Sequence, residues 1–168
     1  MPFYYVQLSS LNRPSWPLFR DSQRRMLATI NNVGMAVSSD KGNPTDVHPT
    51  QKREVGQRLA CLALNDTYGF CHVVPSGPLF RHVEFRKGMA YVSFDHADGL
   101  RPANEGEELL TFEIAGEDRT FHPAKAVVLE DGRVKVWSKE VKHPTIVRYG
   151  WQPYTKANLV NSAGLPAS

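Results

Sequence analysis

The hydrophobic period of this chain changes once, and that change divides it. Up to about residue 70, short and nearly continuous apolar runs alternate with segments of helical period. "FYYVQL" (3–8) and "VGMAVSS" (33–39) are the runs, the pattern of parallel strands buried on both faces. Between them "FRDSQRRMLATI" places Phe19, Gln23, Met26, Leu27 and Ile30 on one helical face, and "NNVG" ends that helix. A second helix is expected from Pro49, since proline suits the first helical position. Its buried stripe reads Val55, Leu59, Leu62 and Ala63. Gly56 within it costs about 1 kcal/mol relative to alanine, which implies close packing against a neighbour. Residues 1–70 therefore read as a βαβα unit of an open α/β sheet.

From about residue 79 the period becomes two. "LLTFEIAG" alternates Leu110, Phe112 and Ile114 with Thr111 and Glu113. "AVVLEDGRVKVW" is a hairpin with Asp131-Gly132 at its turn and Val134 and Val136 on one face. "EFRKGMAYVSF" reads as another hairpin around Lys87-Gly88, and "TIVRYGW" as a closing strand. The expected fold class is α/β plus β, with a small antiparallel β-sandwich over residues 71–168. "YGFCHVVPSGP" marks the boundary.

The length of 168 residues suits one ordinary domain or two small ones. Twenty Lys and Arg against 17 Asp and Glu leave a net charge of +3. The basic residues are scattered, so no nucleic-acid footprint stands out. No apolar run approaches the roughly 20 residues that span a bilayer, and "MPFYYVQLSS" lacks the features of a signal peptide. Cys61 and Cys71 read as free thiols. His72, His82, His96, His122 and His143 lack metal-ligand spacing. Two parallel strands flanked by two helices supply too little core to stand alone. The missing strands are expected from an upstream segment, a second chain or an oligomer partner.

The chemistry concentrates in "GNPTDVHPTQKREVGQRLACLAL" (42–64). Ligands and catalytic groups of open α/β sheets gather off the carboxyl ends of the strands. Asp46 and His48 lie in the loop after the second strand, at that edge. A carboxylate holding the Nδ1–H of a histidine fixes its tautomer and leaves Nε2 to take a proton from a serine. The plainer reading has His48 capping the helix and Asp46 making a turn bond. No G-x-S-x-G occurs. Ser9, Ser10, Ser38 and Ser39 lie at the correct edge but read as loop or capping serines, and Ser76 falls in the linker. Trp137, Trp151 and Tyr149 read either as a sugar-stacking face or, the commoner use, as core.

"DVHPTQKREVGQRLACLAL" resembles the final block of the SGNH (GDSL-type) esterases, specifically the sialate O-acetylesterase family. "PFYYVQLSS", "RPSWPLFRDSQRRML", "GMAVSSD", "SGPLF", "VSFDHADGL", "FEIAGEDRTFHPAKAVV" and "EVKHPTIVRYGWQP" followed by "NLVNSAGLPAS" are similar to that family in order and spacing. The match covers essentially the whole chain and corresponds to the C-terminal part of the family. The resemblance implies that residues 1–70 complete a flavodoxin-like SGNH parallel-sheet domain. It implies hydrolysis of acetyl esters on O-acetylated sialic acid, with His48 as base and Asp46 as its orienting acid. The commoner superfamily spacing is Asp-x-x-His; here it is Asp-x-His. Arg20 and Gln23 match a family Arg-x-x-Gln beside the site and are expected to contact substrate, against an alternative of packing polarity. The Gly-Gln-Ser nucleophile and the oxyanion donors have no counterpart in this chain. No metal or organic cofactor, nucleic acid or membrane partner is implied, and a periplasmic or extracellular location is expected from the family. The alternative is a non-catalytic accessory or carbohydrate-binding polypeptide that kept the esterase tail.

Overall fold

The computed structural model describes all 168 residues. Strand β1 (Phe3–Val6) pairs in parallel with β2 (Val33–Ala36) in the register Phe3↔Val33 to Val6↔Ala36. Helix α1 (Trp16–Thr29) connects them, with Pro17 in its first turn where a missing N–H costs nothing. It stops where Ile30 turns extended and Asn32 takes φ 59°, a left-handed conformation that asparagine tolerates. Helix α2 (Lys52–Leu62) follows β2 and continues as one π-helical turn over Ala63–Thr67.

Several expectations for this part need correction. Helix α2 begins at Lys52, not Pro49. Gly56 is exposed with open space around it, so it marks no close packing. The close-packed glycine is Gly34 in β2, where a Cβ would meet Tyr4 at 2.8 Å and Leu62 at 2.9 Å. Strand β1 is not buried on both faces, because Phe3 and Val6 are exposed. On α1, Phe19 and Ile30 are exposed, and the side turned inward carries Pro17 and Arg20. The helix thus buries a guanidinium where the apolar pattern pointed elsewhere.

The remainder is antiparallel. Strands β3 (Leu79–Arg86) and β4 (Met89–Asp95) form a hairpin whose turn residues Lys87 and Gly88 have φ 50° and 73°, the geometry a two-residue hairpin turn demands. After the short β5 (Arg101–Pro102) come β6 (Phe112–Ala115) and β7 (His122–Pro123). Strands β8 (Lys125–Val128) and β9 (Val134–Trp137) form the hairpin expected at Asp131-Gly132. Strand β10 (Ile146–Tyr149) pairs with β6, and β11 (Leu159–Val160) with β5. The sheets run β3-β4-β9-β8, β10-β6-β7 and β11-β5. Their inward residues, among them Val92, Phe94, Phe112, Ile114, Val134 and Val136, share one core. Strand β6 is shorter than the alternation suggested. Thr111 takes φ 64°, which ends the pleat and leaves Leu110 42% exposed.

Polar contacts join the two parts. Arg20 on α1 donates to the carbonyls of Gly150 (3.0 Å), Gln152 (2.6 Å) and Pro153 (2.9 Å). Leu11 N–H donates to the Pro153 carbonyl, and Gln7 Nε2 to Ser168 Oγ at 2.7 Å. Where α1 faces the antiparallel sheets, a cavity of about 390 Å³ is lined by Arg20, Tyr149, Trp151 and Phe121.

Candidate active site

Both parallel strands run in one direction, so the loops after them leave from the same carboxyl edge. The loop after β2 is built by local hydrogen bonds. Asn43 Oδ1 accepts from the backbone N–H of Thr45 (2.9 Å) and Asp46 (3.1 Å) and from the Thr45 hydroxyl, an Asx turn of the kind asparagine favours. Asp46 Oδ1 then accepts from the His48 backbone N–H at 2.8 Å and lies 3.1 Å from His48 Nδ1. These bonds, the backbone one foremost, hold the Asp46 carboxyl below its ordinary range.

The loop is also fastened to its neighbour. A Cβ on Gly42 would fall 2.0 Å from the Ser10 carbonyl oxygen, so only glycine lets the two loops approach this closely. Asn12 N–H donates to the Pro44 carbonyl, and Ser10 Oγ to the Ser39 carbonyl at 2.6 Å. On the other side Arg58 grips Asp40 through both guanidinium nitrogens (2.6 and 2.7 Å) and donates to the Val37 carbonyl. Pattern reading missed Arg58 and Asp40. The available signal was an arginine between Val55 and Leu62 on the stripe meant to be apolar.

Asp46 and His48 are therefore brought together, with the ring's Nδ1 on the acid and no chain partner on Nε2. They line a shallow cavity of about 460 Å³ with Leu11, Asn12, Arg13 and Pro44. The plainer reading is half present: Asp46 makes the turn bond, but the α2 N-cap is Gln51 and has no side-chain cap. None of the edge serines bonds His48. Ser10 and Ser38 are buried and donate to the carbonyls of Ser39 and Gln7, and Ser76 Oγ donates to Gly77.

Arg20 and Gln23 stand apart from this pair. Arg20 is buried with its terminal nitrogens on three carbonyls, and desolvation pulls its pKa down to about 10. Gln23 Oε1 accepts from the Leu8 N–H at 2.8 Å, and its Nε2 lies 3.5 Å from the Val6 carbonyl. The amide thus extends the backbone pairing of β1. The polar atoms of both residues serve the backbone, which is the packing alternative to the expected substrate contact, and Arg20 also lines the cavity beside α1.

The aromatic trio does not share one face. Tyr149 is packed at 4.6 Å against Phe112, its hydroxyl accepts from the Leu159 N–H, and burial pushes its phenol up. Trp151 lines the cavity beside α1, whereas Trp137 lies under Lys135. Cys61 and Cys71 are free, and Cys71 lies in a turn. No three His, Cys, Asp or Glu side chains gather as a metal-binding group, and no helix is long and apolar enough to cross a membrane.

No protein-family profile matches this sequence, and no curated protein does. Solved structures do match. The crystal structure of a carbohydrate acetylesterase from Xanthomonas citri superposes with a TM-score of 0.90 at 42% identity over 99% of this chain. The chain spans 40% of the length of that enzyme. In fold and in sequence, then, these residues are similar to two fifths of a carbohydrate acetylesterase.

Proposed function

We propose that this chain is the C-terminal portion of an SGNH-type acetylesterase that removes acetyl groups from sugar hydroxyls, with O-acetylated sialic acid as substrate. The observation that carries the reading is the Asp46–His48 pair, 3.1 Å apart, at the carboxyl edge of a parallel sheet. The 42% identity to a carbohydrate acetylesterase supports the reaction class. In this reading His48 Nε2 takes the proton of a serine as its oxygen attacks the acetyl carbonyl. It then returns that proton to the departing sugar oxygen, and in the second half activates the water that releases acetate. Asp46 fixes the ring so that Nδ1 carries its proton and Nε2 faces the reaction. The serine and the oxyanion donors come from a segment outside these residues. That segment also lays further strands against the apolar surface left by Phe3, Val6, Leu18 and Phe19.

The test is acetate release from O-acetylated sialic acid and from p-nitrophenyl acetate. The chain is assayed alone and joined to an upstream segment carrying a Gly-x-Ser element. Release is expected only in the joined protein, and His48→Ala should lower it by at least about a thousandfold. Release by the chain alone that survives His48→Ala would overturn the proposal. A joined protein that binds the sugar but releases no acetate would favour a non-catalytic binding role.

A further inference from the structure

We infer that Arg13 is the specificity-determining residue of the His48 cavity, and that it reads the carboxylate of an acidic sugar. The inference rests on the functional reading above and deepens it. Arg13 lines the same cavity as Asp46 and His48. Its guanidinium lies 5.5 Å from the centroid of the Trp16 ring, within the range of a cation–π contact. Trp16 is itself fixed: its Nε1–H donates to the Ser9 carbonyl at 2.8 Å, and its ring meets Phe19 edge-on at 6.3 Å.

The backbone around Arg13 is held equally firmly. Arg13 N–H donates to the Leu11 carbonyl and Trp16 N–H to the Arg13 carbonyl. Leu11 N–H is tied to Pro153 and Asn12 N–H to Pro44, on the His48 loop itself. The loop that carries Arg13 is thus fixed beside the His48 loop before any ligand arrives, which lowers the ordering cost of binding.

Its charge is unanswered within the chain. Arg24 and Arg25 pair with Asp21, Arg58 with Asp40, and Arg20 is filled by carbonyls. No carboxylate lies within 4.0 Å of the Arg13 guanidinium, and none of its nitrogens donates to another group. The carboxylate that shares the cavity, Asp46, is occupied with the His48 amide and ring. Arg53, also unpaired, is on α2 outside the cavity. A planar guanidinium with free donors selects a carboxylate by two parallel hydrogen bonds, a geometry that a neutral hydroxyl does not reproduce. An acetylated sugar bearing a carboxylate, and not a neutral one, is the ligand this cavity fits.

The experiment compares N-acetylneuraminic acid with its methyl ester, which keeps the shape and removes the charge. Binding to the chain is followed through the His48 ring and Arg13 Nε resonances. The acid should bind at least about tenfold more tightly than the ester, as expected for a charge-assisted pair. Arg13→Gln should erase that preference, while Lys139→Gln, which removes the same charge from the β region, should keep it. Equal affinity for acid and ester, a preference that survives Arg13→Gln, or no response of His48 to either sugar would each overturn the inference. Hydrolysis of uncharged p-nitrophenyl acetate by the joined protein reports on the esterase reading separately. Turnover there without a preference for the acid sinks the role of Arg13 alone. A preference for the acid without turnover sinks the esterase reading alone.

Discussion

The two parts of this molecule are held together by different forces. The antiparallel part encloses an apolar core in which Ala90, Ile114, Val134, Val136 and Leu159 have no exposed surface. Before residue 90 the buried hydrophobics are only Leu11, Met35, Ala36, Val37 and Leu62. What that part buries instead is polar: Gln7, Ser9, Ser10, Arg20, Ser38, Ser39 and Arg58. Each of the hydroxyls of Ser10 and Ser38 and the guanidiniums of Arg20 and Arg58 finds a carbonyl, as buried polar groups must. Apolar burial is non-directional and tolerates displacement, whereas hydrogen bonds fix angles and distances. The part that must hold Asp46 against His48 to a few tenths of an ångström is the part held by hydrogen bonds.

Truncation of the apolar core should have the largest effect. Ile114→Ala is expected to cost about 3–5 kcal/mol, the range for emptying a fully buried site. It should show as a lower urea midpoint with unchanged slope. Arg20→Met comes next, at about 3 kcal/mol, because it leaves the Gly150 and Gln152 carbonyls without their donor and the Pro153 carbonyl with the Leu11 N–H alone. Hydrogen exchange should then quicken in α1 while β9 stays protected. Equal loss of protection in both would show one cooperative unit and weaken the contrast. Gly42→Ala should cost about 2 kcal/mol, since its Cβ would meet the backbone of Ser10 and the two loops must part. The His48 resonances should shift while those of the antiparallel core stay in place. Phe19→Ser should stay within about 0.5 kcal/mol in this chain, as its ring is 54% exposed. In the joined protein proposed above, the same substitution should cost distinctly more; an equal effect would mean that nothing packs on this face.

Legibility in the sequence followed the same division. The Asp131-Gly132 and Lys87-Gly88 turns and the paired Val134 and Val136 were readable, because period two and turn chemistry are local signals. The Asp46–His48 pair was readable too, since an Asx turn brings side chains two apart into contact. The backbone partners of Arg20 and Gln23 were not. Arg20 acts on carbonyls 130 to 133 residues away, and Gln23 on backbone that only the fold brings alongside. Arg58 was hidden for a further reason: apolar periodicity counts an arginine as surface, yet its pairing with Asp40 makes burial tolerable. Arg13 escaped notice because an unpaired, exposed cation looks ordinary until its loop is seen against the His48 loop.

The finest distinction concerns how Asp46 is held. Its carboxyl titrates below the ordinary aspartate value of 3.8, first through the His48 backbone N–H and second through the imidazole. A folded value below the unfolded one means that the loop's stabilisation is complete above the unfolded value. It is lost as pH falls through the folded one. Carboxyl ¹³C shifts of Asp46 should therefore show a midpoint below 3.8, with the His48 loop loosening in the same acid window and the antiparallel core unaffected. His48→Ala separates the two causes. It removes the ring but keeps the backbone N–H of residue 48, so Asp46 should remain depressed, by less than in the parent chain. A return to the ordinary value would show that the imidazole, not the turn, holds the acid. The pair would then be a side-chain contact without the rigid backbone frame that general-base catalysis requires of it.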